Sequence, residues 1–175
     1  RDLLGMTLTR LANVALDRTP ETRADLAEEL SRYAGTDVTC YLAEAPVALR
    51  ERQEAAWQPW RQWAGKELGV VLVPVIGLMA SPQPQVSLDA ARDYALSLDD
   101  FRLTALAWGC SLLGSAILAL AVERGALGAR EAFAASCVDE TWQIEQWGED
   151  DEAAAVRAAR EQDAAALQIW FDALR

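Results

Sequence analysis

Histidine is missing from this sequence, and its absence limits what the protein can do. Without histidine the chain lacks the usual general base, the Ser–His and Cys–His nucleophile pairs and the commonest zinc ligand. The glycine-rich motifs of nucleotide sites, the serine-hydrolase motif and the HExxH zinc motif are absent as well. We therefore predict that the protein is not an enzyme. One alternative stays open, namely catalysis by two carboxylates brought together from separate helices.

Cysteine is scarce and unpaired. Cys40, Cys110 and Cys137 are far apart in the chain, odd in number and outside any CxxC pair. This spacing predicts buried free thiols in a reducing compartment rather than a disulfide or a metal site. The acidic run EDDE at 149–152 lacks the glycine turn of a calcium loop and is typical of a helix N-terminus. We predict no metal and no cofactor.

Basic residues are outnumbered. Sixteen lysines and arginines face 27 aspartates and glutamates, which gives a formal charge of −11 and a pI of about 4.4. Such a surface repels phosphate backbones and anionic lipids, so we expect no nucleic-acid partner. It favours a basic or amphipathic protein partner, although solubility alone explains the charge equally well.

One long apolar run occurs, LTALAWGCSLLGSAILALAV at 103–122, and it carries no charge over 20 residues. That length is enough to span a bilayer. Small and polar residues dilute its hydrophobicity, however, and a helix that is apolar on every side is equally expected at the centre of a bundle. We predict one buried central helix here and no membrane insertion. Separately, the lack of catalytic motifs leads us to predict no small-molecule substrate.

Most of the remaining pattern is helical. Thr19 is expected to cap a helix that stops at Gly35, and a second helix should start near Pro46 and kink or break at Pro59. A helix from Ala129 should continue through 147, and a last helix after Gly148 should dock its far end. The docking residues are Leu167, Trp170, Phe171 and Leu174. Three tryptophans are expected in the core rather than in a ligand cage: Trp57, Trp60 and Trp63.

Segment 36–45 is predicted to be extended or a loop, and segment 69–77 to be an edge strand or an extended segment. The second, GVVLVPVIG, contains Pro74, which favours an edge strand because proline cannot donate to a central sheet. Ser87 is expected to cap the helix that follows, starting at Leu88. The predicted fold is therefore mainly α, a helical bundle around the central apolar helix with one or two short extended segments.

The segment VDETWQIEQWGED at 138–150 mixes acids, tryptophans and glutamines without one basic residue. At 100° per residue, one arc of a helix holds Glu140, Gln143, Ile144 and Trp147, and Trp142 points to the opposite side. A carboxylate, an amide and an aromatic ring on one face suit a protein interface. The alternative is an ordinary packed helix in which Glu140 meets an arginine of the same chain.

Five segments of the chain carry a family resemblance. They are MTLTRLANVALD, YAGTDVTCYLAEAP, RQEAAWQPWRQWA, LDDFRLTALAWGCSLLGSAILALAV and VDETWQIEQWGEDDEA. In this collinear order they resemble the assembly chaperones of the F-type ATP synthase catalytic head, over nearly the whole chain. The patterns TD-x-x-CY and DE-x-WQ-x-x-x-WGED are the specific part of the match.

The resemblance implies that residues 1–175 are the helical C-terminal domain of such a chaperone and that the family's β-rich N-terminal domain is missing from this chain. It implies binding of the free alpha subunit, whose beta-contacting surface is shielded until the beta subunit replaces the chaperone. An acidic residue of the DE-x-WQ segment matters in the family, which points to Glu140, with Asp139 as second choice. With the helical arc, the expected partner-binding residues are Glu140, Asp139, Gln143 and Trp147.

The composition is rich in alanine and in arginine over lysine, which is typical of a GC-rich bacterial genome. Together with this hint, the family resemblance implies the bacterial cytoplasm, or the mitochondrial matrix in a eukaryote. Tyr33, Asp37, Tyr41 and Trp57 are expected to be architectural. Besides the enzyme, one further hypothesis stays open, an acidic interaction scaffold for some other partner.

Overall fold

A computed structural model describes residues 2–175, so Arg1, the first residue of the predicted domain, lies outside the described residues. These residues form nine α-helices and two short strands. In chain order they are α1 (Leu3–Asp17), α2 (Thr19–Gly35), β1 (Tyr41–Leu42), α3 (Val47–Leu68), β2 (Val75–Ile76), α4 (Gln85–Leu96), α5 (Asp100–Leu113), α6 (Ala116–Glu123), α7 (Ala129–Ser136), α8 (Val138–Trp147) and α9 (Asp151–Ala173). The mainly helical prediction is confirmed.

The central apolar segment is two helices, so the prediction of a single helix over 103–122 is wrong. Helix α5 ends at Gly114, whose φ of 63° lies in the left-handed region, and Ser115 caps α6 by accepting from the Leu118 amide at 3.0 Å. The buried carboxylate of Asp37 accepts from Ser115 Oγ at 2.7 Å and from the Ile117 amide at 3.0 Å. These hydrogen bonds satisfy the new helix start, which the apolar pattern alone does not reveal.

Both halves of this segment lie at the centre of the molecule, as predicted. Every residue of α6 is buried, and α5 packs between α1, α2, α6 and α9. Within residues 2–175, the structure contains no helix with both the length and the apolar character needed to cross a membrane.

Replacing Gly114 with alanine is expected to lower the free energy of unfolding by about 1–2 kcal/mol, the cost of a left-handed conformation for an L-residue. Nothing lies within 4 Å of the added Cβ, so the loss comes from backbone conformation and not from crowding. The matched control is Gly35→Ala at the end of α2, where the Cβ would meet only Leu88 Cδ2 at 4.0 Å. Urea denaturation should show G114A destabilised and G35A unchanged or stabilised. Equal stability of the two variants would contradict the conformational argument.

Helix α3 runs through Pro59 without ending, so of the kink or break predicted there the break is wrong. Proline removes one amide donor, but Pro59 and Ala55 are both exposed, and water can satisfy the Ala55 carbonyl that loses its partner. The core interpretation of the tryptophans is confirmed for Trp57, which is fully buried and donates Nε1–H to the Ala135 carbonyl at 2.8 Å. Trp60 and Trp63 are partly buried against that core and pack edge to face on each other, with ring centroids 6.3 Å apart.

Strands β1 and β2 pair in parallel, and Gly77 N–H extends the ladder by donating to the Leu42 carbonyl at 2.9 Å. The edge position of the strand after Pro74 is confirmed. Segment 36–45 is extended only in part, because Val38–Cys40 form a turn of 3₁₀ helix before β1. The expected cap at Ser87 is wrong because α4 begins earlier, at Gln85. The buried Ser87 hydroxyl instead donates to the Val71 carbonyl at 2.7 Å and accepts from its amide at 3.1 Å, which fastens the segment before β2.

Two further expectations about helix ends are wrong. Thr19 does not cap α2, because its buried hydroxyl hydrogen-bonds with that of Thr104 on α5. The helix predicted from Ala129 through 147 divides into α7 and α8 at Cys137. There the Ser136 hydroxyl donates to the Phe133 carbonyl at 2.7 Å, a local bond that competes with continuation of the helix.

The cysteine and C-terminal predictions are confirmed. All three cysteines are buried free thiols, and burial raises the pKa of Cys40 to about 12, so that thiol stays protonated at neutral pH. Helix α9 starts with the Asp150 side chain accepting from the Ala153 amide at 2.7 Å. Its far end docks through the buried Leu167 and Phe171, with Trp170 and Leu174 half-buried beside them.

Candidate functional site

Helix α8 lies on the surface and has no fully buried residue. Its Trp142 ring faces α3, where the Arg52 guanidinium lies 4.9 Å from the ring centroid and also pairs with Glu145 at 2.6 Å. These contacts hold one side of α8 against α3, and the other side is left open. The predicted separation of Trp142 from the face of Glu140 is what the structure shows.

Glu140 points toward α9. Its Oε2 lies 3.3 Å from Nη1 of Arg160, and both side chains are about one-third exposed (39% and 35%). Arg160 is itself placed over the Phe133 ring, 5.1 Å from the centroid. The structure therefore agrees with the alternative expectation for Glu140, namely that it pairs with an arginine of the same chain. At this exposure the ion pair stabilises the fold by about 1 kcal/mol at most.

Asp139 points the other way, toward α3. Its Oδ1 accepts from Nε2 of Gln53 at 2.6 Å, and Oε1 of the same glutamine accepts from the Ala43 amide at 2.7 Å. Gln53 is only 2% exposed, and one side chain thus ties the end of β1 to α8. Our sequence analysis missed this role. The signal was present, because Gln53 is a polar residue in the same buried stripe of α3 as Leu49 and Trp57.

A groove of about 340 Å³ lies beside these residues, and we refer to it as the α8 groove. It is lined by Tyr41, Leu42, Ala43, Glu44, Ala45, Leu49, Gln53, Gly77, Leu78, Asp139 and Gln143. Asp139 and Gln143 are one helical turn apart and face it together, as i and i+4 residues do. Among residues 2–175, the lining contains two carboxylates, Glu44 and Asp139, and no lysine or arginine, so the groove carries negative charge.

Of the four predicted site residues, Asp139 and Gln143 share the α8 groove, and Glu140 lies outside it. Trp147 is 84% exposed at the C-terminal end of α8. The turn after it is held by Gly148, with φ of 80°, and by the ion pair of Glu149 with Arg157 at 2.8 Å. The structure therefore presents the predicted residues on two adjoining faces rather than on one.

The carboxylate-pair hypothesis has no support from the two acids with raised pKa. Burial raises the pKa of Asp37, although hydrogen bonds from Ile117, Ser115 and Thr39 oppose it, and this residue is enclosed under the start of α6. Burial also raises the pKa of Asp163, which lines a separate groove between α1 and α9. The two acids do not share a cavity. Among residues 2–175 no cluster of cysteines and acids has the arrangement of a metal site.

Comparison with known proteins gives several matches. The sequence model of the ATP12 chaperone protein family matches residues 2–65. The crystal structure of Atp12 from Paracoccus denitrificans is 40% identical, covers 97% of this chain and 73% of its own, and superposes with a TM-score of 0.92. The chain belongs to the ATP12 chaperone family. This confirms the resemblance found in the sequence.

Other members of the ATP12 family agree. A Paracoccus denitrificans Atp12p mutant with one aspartate replaced by lysine is 39% identical over the same coverage, also with a TM-score of 0.92. The mitochondrial protein atp12 of Schizosaccharomyces pombe is 26% identical over 158 residues, which are 85% of this chain and 54% of that protein. The chain thus spans about half the length of this curated relative.

Proposed function

We propose that the protein is an assembly chaperone for the catalytic head of the F-type ATP synthase. It binds the free alpha subunit and shields the surface that the beta subunit later covers. The observation that carries this proposal is membership of the ATP12 chaperone family, together with an open, acidic α8 surface that this chain does not cover. We propose the bacterial cytoplasm or the mitochondrial matrix as its location, where the alpha subunit would be met.

Shielding of this kind needs no chemistry. An unassembled subunit exposes a patch that its neighbour would otherwise cover, and large exposed apolar patches promote aggregation. A chaperone has only to bind that patch reversibly. The beta subunit then replaces it by mass action, because it competes for the same surface.

The contact surface that we propose consists of Asp139, Gln143, Trp147 and Glu140. Trp147 offers a large, nearly fully exposed ring, which supplies contact area. Asp139 and Gln143 supply a carboxylate and an amide that fix the orientation of the partner. Asp139 is the principal residue in this proposal, because Glu140 is already paired with Arg160.

Capture and release of the alpha subunit test the proposal. An immobilised sample of the chain should retain purified alpha subunit, and addition of beta subunit should release it in proportion to the amount added. The control is lysozyme, a basic protein of unrelated fold, which should not be retained at 0.15 M salt. If alpha and lysozyme are retained alike, or if beta does not release alpha, the chain is an acidic scaffold and the proposed function is wrong.

A further inference from the structure

We propose that the α8 groove binds an extended segment of the client polypeptide in which an apolar residue and a lysine or arginine are two positions apart, so that both side chains lie on one face of the segment. The inference rests on the proposed function only for the identity of the client. It adds to that function the chemistry of the bound segment and a second contact element, the turn after β2. Leu78 of that turn contributes an exposed apolar side chain to the groove surface, and Glu44 and Asp139 contribute carboxylates.

The apolar part is unusual for a surface. Leu78 is 99% exposed and lines the groove, the neighbouring Met79 is 87% exposed, and Ile76 of β2 is largely exposed too. Single exposed apolar residues are normal, but three within four positions are typical of a contact site. The backbone below them is anchored by the Gly77 N–H bond to the Leu42 carbonyl, so Leu78 extends from a fixed base.

The polar part selects for positive charge. Asp139 uses Oδ1 to accept from Gln53, and its Oδ2 has no hydrogen-bond or ion-pair partner within residues 2–175. Glu44 is exposed and also lines the groove. Arg50 donates to the carbonyls of Ala43 and Glu44 and does not line the groove. A lysine or arginine of the client would therefore meet carboxylates without a competing cation.

The size of the groove favours side chains over a whole small molecule. Its volume of about 340 Å³ is near the lower end of the roughly 300–1,000 Å³ that small-molecule sites occupy. Two side chains at positions i and i+2 of an extended segment lie on the same face and would enter it together, one against Leu78 and one against Asp139. An acidic neighbour in the segment would instead meet like charge and be rejected.

Peptide titrations followed by ¹⁵N NMR test this inference. The probe is a heptapeptide with Leu-Ser-Arg at its centre and Gly-Ser flanks, compared with analogues carrying Ser-Ser-Arg or Leu-Ser-Glu. We expect the first peptide to shift the amides of Gly77, Leu78, Asp139 and Gln143. Each analogue should bind about tenfold more weakly, as expected for loss of one buried leucine or one ion pair.

Paired substitutions locate the contact. Leu78→Ser should weaken binding of the Leu-Ser-Arg peptide about tenfold and leave binding of the Ser-Ser-Arg peptide unchanged, because Leu78 contacts the leucine of the peptide. The control is Leu16→Ser on α1, a helix that packs on α2, α5 and α9, where the side chain is 61% exposed. Equal weakening by both substitutions would overturn the inference. Concentration-dependent shifts of the same amides without peptide would overturn it too, because the groove would then join two copies of the chain.

The outcomes separate this inference from the proposed function. If the peptides bind as described but the alpha subunit is not captured, the groove is a peptide-binding site and the client is a different protein. If the Leu78→Ser variant captures the alpha subunit as tightly as the unaltered chain, the groove is not a client site, whereas the proposed function stands.

Discussion

Replacement of Asp139 with lysine is expected to abolish capture of the alpha subunit, with an affinity loss of at least about 100-fold. The change puts a positive charge where we propose that a cation of the client binds, so attraction becomes repulsion. The fold should survive, because Asp139 is exposed and loses a single hydrogen bond, from Gln53. We expect a cost of about 1 kcal/mol, or a melting temperature lower by roughly 2–4 °C. Surface plasmon resonance and a circular dichroism melt measure the two effects.

Glu140→Lys is the matched control, since it makes the same change of charge at the neighbouring residue. Glu140 faces Arg160 and not the α8 groove, so we expect a smaller loss of affinity than for Asp139→Lys. If Glu140→Lys alone abolished capture with an unaltered melt, the sequence-based preference for Glu140 would be right and our choice of Asp139 wrong. Equal losses that disappear at high salt would indicate overall charge rather than a local contact.

Replacement of Asp37 with alanine should cause the largest loss of stability, about 2–5 kcal/mol. The Asp37 carboxylate accepts from the amides of Thr39 and Ile117 and from the hydroxyls of Thr39 and Ser115, at 2.7–3.1 Å. Alanine would leave these buried donors without an acceptor at the start of α6. For a chain of this length the expected fall in melting temperature is about 10 °C.

Asp37→Asn is the control for this prediction. The side-chain amide keeps one acceptor oxygen but turns an NH₂ group toward the remaining donors, so we expect an intermediate loss. Urea denaturation of the three proteins measures the order. If alanine were as stable as aspartate at this position, Asp37 would not hold the junction of α5 and α6, and our explanation of the break at Gly114 would fail.

The sequence pattern was sufficient for the helical class and the central apolar segment, but not for where helices end. Periodicity continues across Gly114 because residues on both sides of it are buried. What divides α5 from α6 is Asp37, which lies 78 positions before Ser115 in the chain. In the same way Thr19 meets Thr104, 85 positions away, instead of capping α2. Local capping rules cannot anticipate partners that the fold brings together.

The candidate site shows the same limit. The helical arc correctly separated Trp142 from Glu140, because this depends only on the 100° step of a helix. It could not show that Arg160 would pair with Glu140. Nor could it show that Gln53, which is 86 positions from Asp139 in the chain, would donate a hydrogen bond to the Asp139 carboxylate. The extended segment before Gly77 was predicted as well, but the exposure of Leu78 and Met79 was not. Exposure depends on which surfaces remain after packing.

The bridge made by Gln53 has a consequence for how the α8 groove would be used. Because one enclosed amide group bonds to both the Ala43 backbone and Asp139, the two walls keep their spacing while the groove is empty. A preorganised receptor of this kind gives up little conformational entropy on association. The association rate constant for the client should then fall as ionic strength rises, because opposite charges draw the two molecules together. It should not be limited by a conformational change within the groove.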